Sequence, residues 1–230
     1  MKILEYNFLI LSLIFIIPGA LIFVLRKDLR IVIKKMSLIA LPFAYAERLF
    51  YPIYWKPNFL FDLGNKIGFG LEDFIFVVGL ASFSSTAYVF ASGKRYVKNH
   101  IETSNSFFKK VFIISIFIVT LIELSIWMSI PIIYSSFFIM IMIPGWIVFK
   151  NPNFLVPGML GGVLSAVIYF ILCLIFNSIY TDIFRKIWHT QLFLNKFAMG
   201  VPLEELIYGF GAGFSATIIY PYIFNYKFGS

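Results

Sequence analysis

Along this 230-residue chain, apolar runs of membrane-crossing length alternate with short polar stretches, most of them basic. A helix needs roughly 20 mainly apolar residues to cross the hydrocarbon of a bilayer. By that measure spans are predicted over 6–25, 32–49, 70–92, 111–129, 131–149, 154–178 and 201–224. Lys34 and Lys35 fall in the first turns of the second span and have to snorkel toward the headgroups. Only Ser129-Ile130-Pro131 separates the fourth and fifth spans, which reads as a tight turn at the membrane face. The expected fold is an all-α integral membrane protein of seven transmembrane helices with no water-soluble domain.

Composition agrees, since 60% of the residues are hydrophobic, only 13% are charged and the mean hydropathy is +0.90. That is more apolar material than a soluble core of this length can bury. Cys173 is the single cysteine, so a disulfide framework, a paired-thiol metal site and a thiol redox couple are all excluded. A net charge of +8 would point to nucleic acid in a soluble protein, but here the basic residues lie between spans, where they set orientation, and no nucleic-acid partner is expected. With seven spans, one side holds 12 of the 19 Lys and Arg residues: Arg26, Lys27, Arg30, Lys34, Lys35, Lys94, Arg95, Lys98, Lys109, Lys110, Lys150 and Lys227. Basic loops stay in the cytoplasm, so a cell-membrane protein with its N-terminus outside and its C-terminus inside is expected.

Two segments of the sequence recur. Ile17-Pro18-Gly19-Ala20-Leu21-Ile22-Phe23 returns as Ile143-Pro144-Gly145-Trp146-Ile147-Val148-Phe149, which argues that the first apolar run is a retained span although Lys2 and Pro18-Gly19-Ala20 outline a signal peptide. Gly70-Leu71-Glu72-Asp73-Phe74-Ile75-Phe76 returns as Pro202-Leu203-Glu204-Glu205-Leu206-Ile207-Tyr208, with Trp55 and Trp188 at similar distances upstream. The chain therefore reads as one membrane domain built from two three-helix repeats, 1–92 and 131–230, joined by a linker helix over 111–129. Copies four spans apart are parallel and related by an axis along the membrane normal.

Of eleven acids, four form the adjacent pairs Glu72-Asp73 and Glu204-Glu205, each opening a long apolar helix. The helix dipole and unpaired N–H groups favour one acid in a first turn, with Pro202 well placed as a first helical residue, but they do not account for two. Successive helix residues point about 100° apart, so one acid of a pair can face headgroups or a basic neighbour while the other faces the bundle interior. In low dielectric the neutral form of such a carboxyl is favoured, giving a proton donor at the edge of a dry cavity. Glu123, roughly 9 Å from the outer end of its span, approaches the same depth. Three readings stay open for the cluster: catalysis, a substrate-binding or transport role, and helix capping with salt bridges to Arg48, Arg185 or Lys186. Trp55, Trp188, Tyr51, Tyr54 and Tyr180 are candidates for a substrate-binding lining whose π-faces would stabilise a cation, or else members of an interface belt. His100 and His189 are read as solvated, and no metal or other cofactor is expected. The absence of a glycine-rich phosphate loop, an Asp-rich diphosphate motif or a nucleophile elbow counts against ATP use, prenyl-diphosphate transfer and serine hydrolysis.

At these residues the chain resembles the lycopene cyclase domain family of integral membrane proteins, marked by a Pro-Leu-Glu-Glu motif repeated in two homologous halves. Pro202-Leu203-Glu204-Glu205 is the full motif, whereas in the first half Gly70 replaces the proline and Asp73 the second glutamate. The resemblance implies redox-neutral cyclisation of the acyclic ends of lycopene: protonation of a terminal double bond, ring closure through a tertiary cation, and loss of a ring proton to a carboxylate. It implies Glu204 as general acid, Glu72 as its counterpart, and Glu205 and Asp73 as proton acceptors or supports of the acids. It also implies a lipophilic polyene substrate, with membrane lipid as the surrounding partner; self-association of the chain stays open. The alternatives are another isoprenoid cyclase or hydratase using paired acids, and a solute transporter with a three-plus-one-plus-three repeat. A retinal protein is excluded, because its Schiff base requires a lysine that Val201–Phe224 lacks.

Overall fold

A computed structural model describes residues 6–99 and 106–229. It is 78% helical and contains six helices long and apolar enough to cross a membrane. In chain order the helices are α1 (Asn7–Leu25), α2 (Arg30–Ala40), α3 (Glu47–Phe50), α4 (Leu63–Ile67), α5 (Leu71–Ser84), α6 (Ala87–Ala91), α7 (Ser106–Trp127), α8 (Ile132–Lys150), α9 (Leu155–Ile179), α10 (Ile183–Ile187) and α11 (Leu203–Phe224). Four short strands accompany them: β1 (Arg95–Lys98), β2 (Phe197–Ala198), β3 (Val201–Pro202) and β4 (Tyr226–Gly229). Span-length stretches are α1, α5 continued by α6, α7, α8, α9 with the turn before it, and α11.

These helices are apolar on every side, because their outer faces meet a medium without water. Leu13, Ile17, Leu21 and Val24 on α1, and Val156, Leu160, Val163 and Val167 on α9, are all exposed. Inside, α11 packs on α9 and α8, and α1 packs on α5. Close approach depends on two glycines: a Cβ at Gly79 would lie 2.7 Å from the Phe15 carbonyl, and one at Gly213 would lie 2.5 Å from the Gly161 carbonyl oxygen.

The stretch expected as one continuous second span, 32–49, is instead three pieces: α2, a 3₁₀ segment over Leu41–Ala46, and α3. Pro42, which has no N–H to donate, sits at the start of the 3₁₀ segment, and no single piece is among the six span-length helices. The third predicted span, 70–92, is present as Leu71–Ala91, with a local interruption between α5 and α6, where the Ser85 and Thr86 hydroxyls donate to the Ala81 and Ser82 carbonyls at 2.7 and 2.6 Å. Ser129, at φ 55°, forms the predicted tight turn between α7 and α8.

Each end of the bundle is tied by long-range pairing. At one end β1 pairs antiparallel with β4, and the Arg26 guanidinium, which donates to the Lys94 carbonyl, holds the Asp28 carboxyl below its usual range. At the other, Trp55 and Trp188 form an antiparallel bridge in which Lys56 N–H donates to Ile187 and His189 N–H to Tyr54, at 2.7 and 2.9 Å. Asn7, opening α1, accepts from the Asn58 N–H at this second end.

Gly79→Ala is therefore expected to lower the thermal midpoint of the detergent-solubilised protein by several degrees, since overpacking costs about 1–3 kcal/mol. Gly145→Ala, where an added Cβ meets nothing within 4 Å, is expected to leave the midpoint unchanged or raised.

Candidate functional site

The acid pairs stand where the chain turns sharply into α5 and α11. Before α11, β2 and β3 are joined by Met199 and Gly200, both at positive φ (50° and 85°), the hairpin geometry that Gly tolerates best. This turn delivers Pro202 in extended backbone and places Glu204 and Glu205 in the first helical turn. Before α5 the chain passes Gly68, at φ 81°, and Gly70. At position 70 a Cβ would lie 2.5 Å from both Glu72 Oε2 and the Phe59 ring, and the backbone φ of −138° is one that proline does not adopt.

All four acids are buried, with relative exposures of 0% for Glu72, 3% for Asp73, 2% for Glu204 and 5% for Glu205. Two of them share one arrangement. Leu60 N–H donates to Glu72 Oε1 at 2.5 Å, Leu194 N–H donates to Glu204 Oε1 at 2.8 Å, and in each case Oε2 is buried without a hydrogen-bond partner. The other two differ. Asp73 Oδ2 accepts from the Gly70 N–H at 2.6 Å, a capping contact at its own helix start. Glu205 accepts from Tyr54 Oη (2.6 Å) and Trp188 Nε1 (2.8 Å) on Oε1, and from Tyr169 Oη (2.6 Å) on Oε2. Capping thus accounts for Asp73 and not for Glu72 or Glu204, whose donors lie in the preceding loops, and the salt bridges expected with Arg48, Arg185 or Lys186 do not form among the described residues. Among the described residues the one ion pair is Arg26–Asp28; Lys186 donates to the Thr181 carbonyl and Arg185 lies over the Phe197 ring.

The aromatic candidates divide. Trp55 and Trp188 face each other with centroids 4.6 Å apart, flanked by Phe8 and Phe184. Tyr54 crosses from the first half of the chain to Glu205 in the second; burial, and then the Glu205 carboxyl, push its hydroxyl well above the usual tyrosine range. Tyr51 instead donates to Asn65 Oδ1 at 2.5 Å, and Tyr180 packs on Phe176. Glu123 is exposed on α7 and shares no hydrogen bond or ion pair with the acid cluster among the described residues, so the structure does not bring it to the other acids. His189 is half-buried, its Nδ1 3.2 Å from the Ile53 carbonyl oxygen, whereas His100 and Lys2 lie outside the described residues. Two polar clefts open over the loops, one of 330 Å³ beside Arg185, Trp188 and Asn195, the other of 190 Å³ beside Lys56, Phe59 and Asp62.

Three site residues escape the sequence reading. Tyr169 comes from the middle of α9, Cys173 lies one turn further on in the electrostatic reach of Glu205, and Glu47 accepts from Trp55 Nε1 at 2.6 Å. The signal available for Glu47 was an acid at the end of an apolar span, which the paired acids overshadowed.

Chemically, the arrangement offers two buried carboxyls with one oxygen fixed and one unengaged, and a third carboxyl saturated by neutral donors, within an aromatic surround. No curated protein and no solved structure matches the chain. Residues 131–223, which contain α8, α9 and the Pro202-Leu203-Glu204-Glu205 turn, match the family model described as Lycopene cyclase, and over that stretch the chain is similar to that family.

Proposed function

We propose that the protein is a membrane-embedded carotenoid cyclase that closes the acyclic ends of lycopene or a related polyene without redox change. The family match over the second half supports a cyclase role in general. The observation that carries the finer reading is the matched geometry of Glu204 and Glu72: each is buried, held on one oxygen by a loop N–H, and unpartnered on the other.

In this reading Glu204 Oε2 carries the proton and delivers it to a terminal double bond of the polyene; the tertiary cation is attacked by the next double bond, closing a six-membered ring; and a ring C–H proton passes to a carboxylate, restoring neutrality. One proton enters and one leaves, so no cofactor is consumed. Glu72 is the counterpart of Glu204 in the first half, and Glu205 and Asp73 accept protons or support the acids. The rings of Trp55, Trp188 and Tyr54 are suited to stabilise positive charge and to exclude water, which would trap the cation as an alcohol.

The same proposal includes two parallel three-helix halves, 1–92 and 131–230, around the linker over 111–129, and seven crossings. Because residues 26–30 and residues 51–58 are tied to opposite ends of the bundle, the broken stretch 30–50 acts as a crossing; the rises of its helical and 3₁₀ pieces total ~34 Å, against ~30 Å for a bilayer core. The end carrying Arg26, Lys94, Arg95, Lys98 and Lys227 is then cytoplasmic.

Expression in lycopene-accumulating cells is expected to yield cyclic carotenoid, with lycopene left untouched by folded protein overturning the substrate. Glu204→Gln is expected to reduce turnover by about 10²–10⁴-fold, the usual contribution of a general acid; full activity of that variant would overturn its role. In intact cells, a membrane-impermeant maleimide is expected to label Lys66→Cys and not Lys98→Cys, both exposed positions, while buried Cys173 stays unlabelled; the reverse pattern would invert the orientation.

A further inference from the structure

The two halves treat their tryptophans alike but use different acids to do so. In the second half Trp188 donates to Glu205, the second acid of the Glu204-Glu205 pair. In the first half the corresponding acid, Asp73, is one methylene shorter and is turned back onto the Gly70 N–H. The Trp55 indole is instead taken at 2.6 Å by Glu47, which arrives from α3, 8 residues before Trp55 in the chain. An indole N–H has no other hydrogen-bonding capacity, so this one contact fixes how the Trp55 ring stands. The ring is buried at 7% exposure, lies edge to face with Phe8 at 4.6 Å, and meets Trp188 at 4.6 Å with 42° between the planes. The chain Glu47–Trp55–Trp188–Glu205 therefore runs unbroken from one carboxyl to the other through two indoles in tilted contact, and Glu47 is within electrostatic reach of both Asp73 and Glu205.

We propose that Glu47 is a positioning residue of the site: by holding the Trp55 indole it sets the tryptophan pair against Glu205 and takes in the first half the part that Glu205 plays for Trp188. As a statement about catalysis this rests on the cyclase reading; as a statement about the tryptophan pair it does not. Glu47 acts through Trp55, so its carboxyl serves as a hydrogen-bond acceptor. An amide oxygen at the same place fulfils that need, whereas an alkyl side chain of equal size does not.

The test uses the full chain with Trp127 and Trp146 replaced by phenylalanine, leaving Trp55 and Trp188 as the only indoles. Two indoles in contact give an exciton-coupled circular dichroism couplet, which reports the pair whether or not the protein cyclises anything. Glu47→Leu is expected to abolish the couplet as Trp55→Phe does, and Glu47→Gln is expected to retain it. In lycopene-accumulating cells Glu47→Leu and Trp55→Phe should each lower cyclic product by at least 10-fold relative to the parent, the double variant no further than 2-fold below either, and Glu47→Gln should keep at least half of parental product. A couplet unchanged in Glu47→Leu overturns the proposal. So does loss of product in Glu47→Gln with the couplet intact, which would make Glu47 a proton carrier, and so do losses that multiply in the double variant. If the parent makes no cyclic product, the cyclase reading fails and the couplet alone decides the role of Glu47. Monodispersity in detergent is the control for folding of every variant.

Discussion

The burial of carboxyl groups without cations is the constraint on which the architecture turns. Moving an ionised carboxylate out of water costs several kcal/mol even after relaxation, and a protein ordinarily meets that cost with a lysine or arginine partner. Here Glu72, Asp73, Glu204 and Glu205 are met by neutral donors: backbone N–H groups of Leu60, Leu194 and Gly70, two tyrosine hydroxyls and an indole. Apart from Tyr169 on α9 and the Gly70 N–H at the start of α5 itself, these donors are carried to their acids by the loops outside the long helices. The left-handed residues Phe61 and Asp62, the Met199–Gly200 hairpin and the Trp55–Trp188 bridge belong to these loops, and together they build the cap over α5 and α11.

A site assembled in this way belongs to both halves of the chain at once. Tyr54 and Glu205 are 151 residues apart, and Tyr169 reaches the same carboxyl from α9. The arrangement leaves one oxygen each on Glu72 and Glu204 unengaged, while the oxygens of Glu205 that face Tyr54, Trp188 and Tyr169 are occupied. In the proposed cyclisation the proton comes from an oxygen of the first kind, and the groups of the second kind hold the rings in place; hydrogen-bond accounting supports that division.

Much of this was legible in the sequence, because lipid imposes a length and a composition on each crossing. The spans around 6–25, 131–149, 154–178 and 201–224 agree with α1, α8, α9 and α11 to within a few residues, and the adjacent acids singled out by the sequence are all buried. What was not legible depends on partners distant in the chain. Hydropathy sees that 32–49 is apolar but not that Pro42 divides it, and it gives Glu123 a depth but not a facing, so an acid that ends exposed on α7 looked like a member of the cluster. Glu47 was overlooked because its role is defined by Trp55 and Trp188, not by its neighbours in sequence. The glycine at position 70, a departure from the motif in the sequence, stands where Glu72 and Phe59 leave little room for a Cβ.

The most direct measurement is the hydrogen isotope content of the product formed in a single turnover in D₂O, after the purified protein has equilibrated with that solvent. If buried carboxyls start the reaction by donating a proton, each ring closed carries one deuterium, read as a mass increase of one unit per ring. Cyclic product without deuterium would mean that ring closure does not begin with a proton from these acids, and would contradict the account.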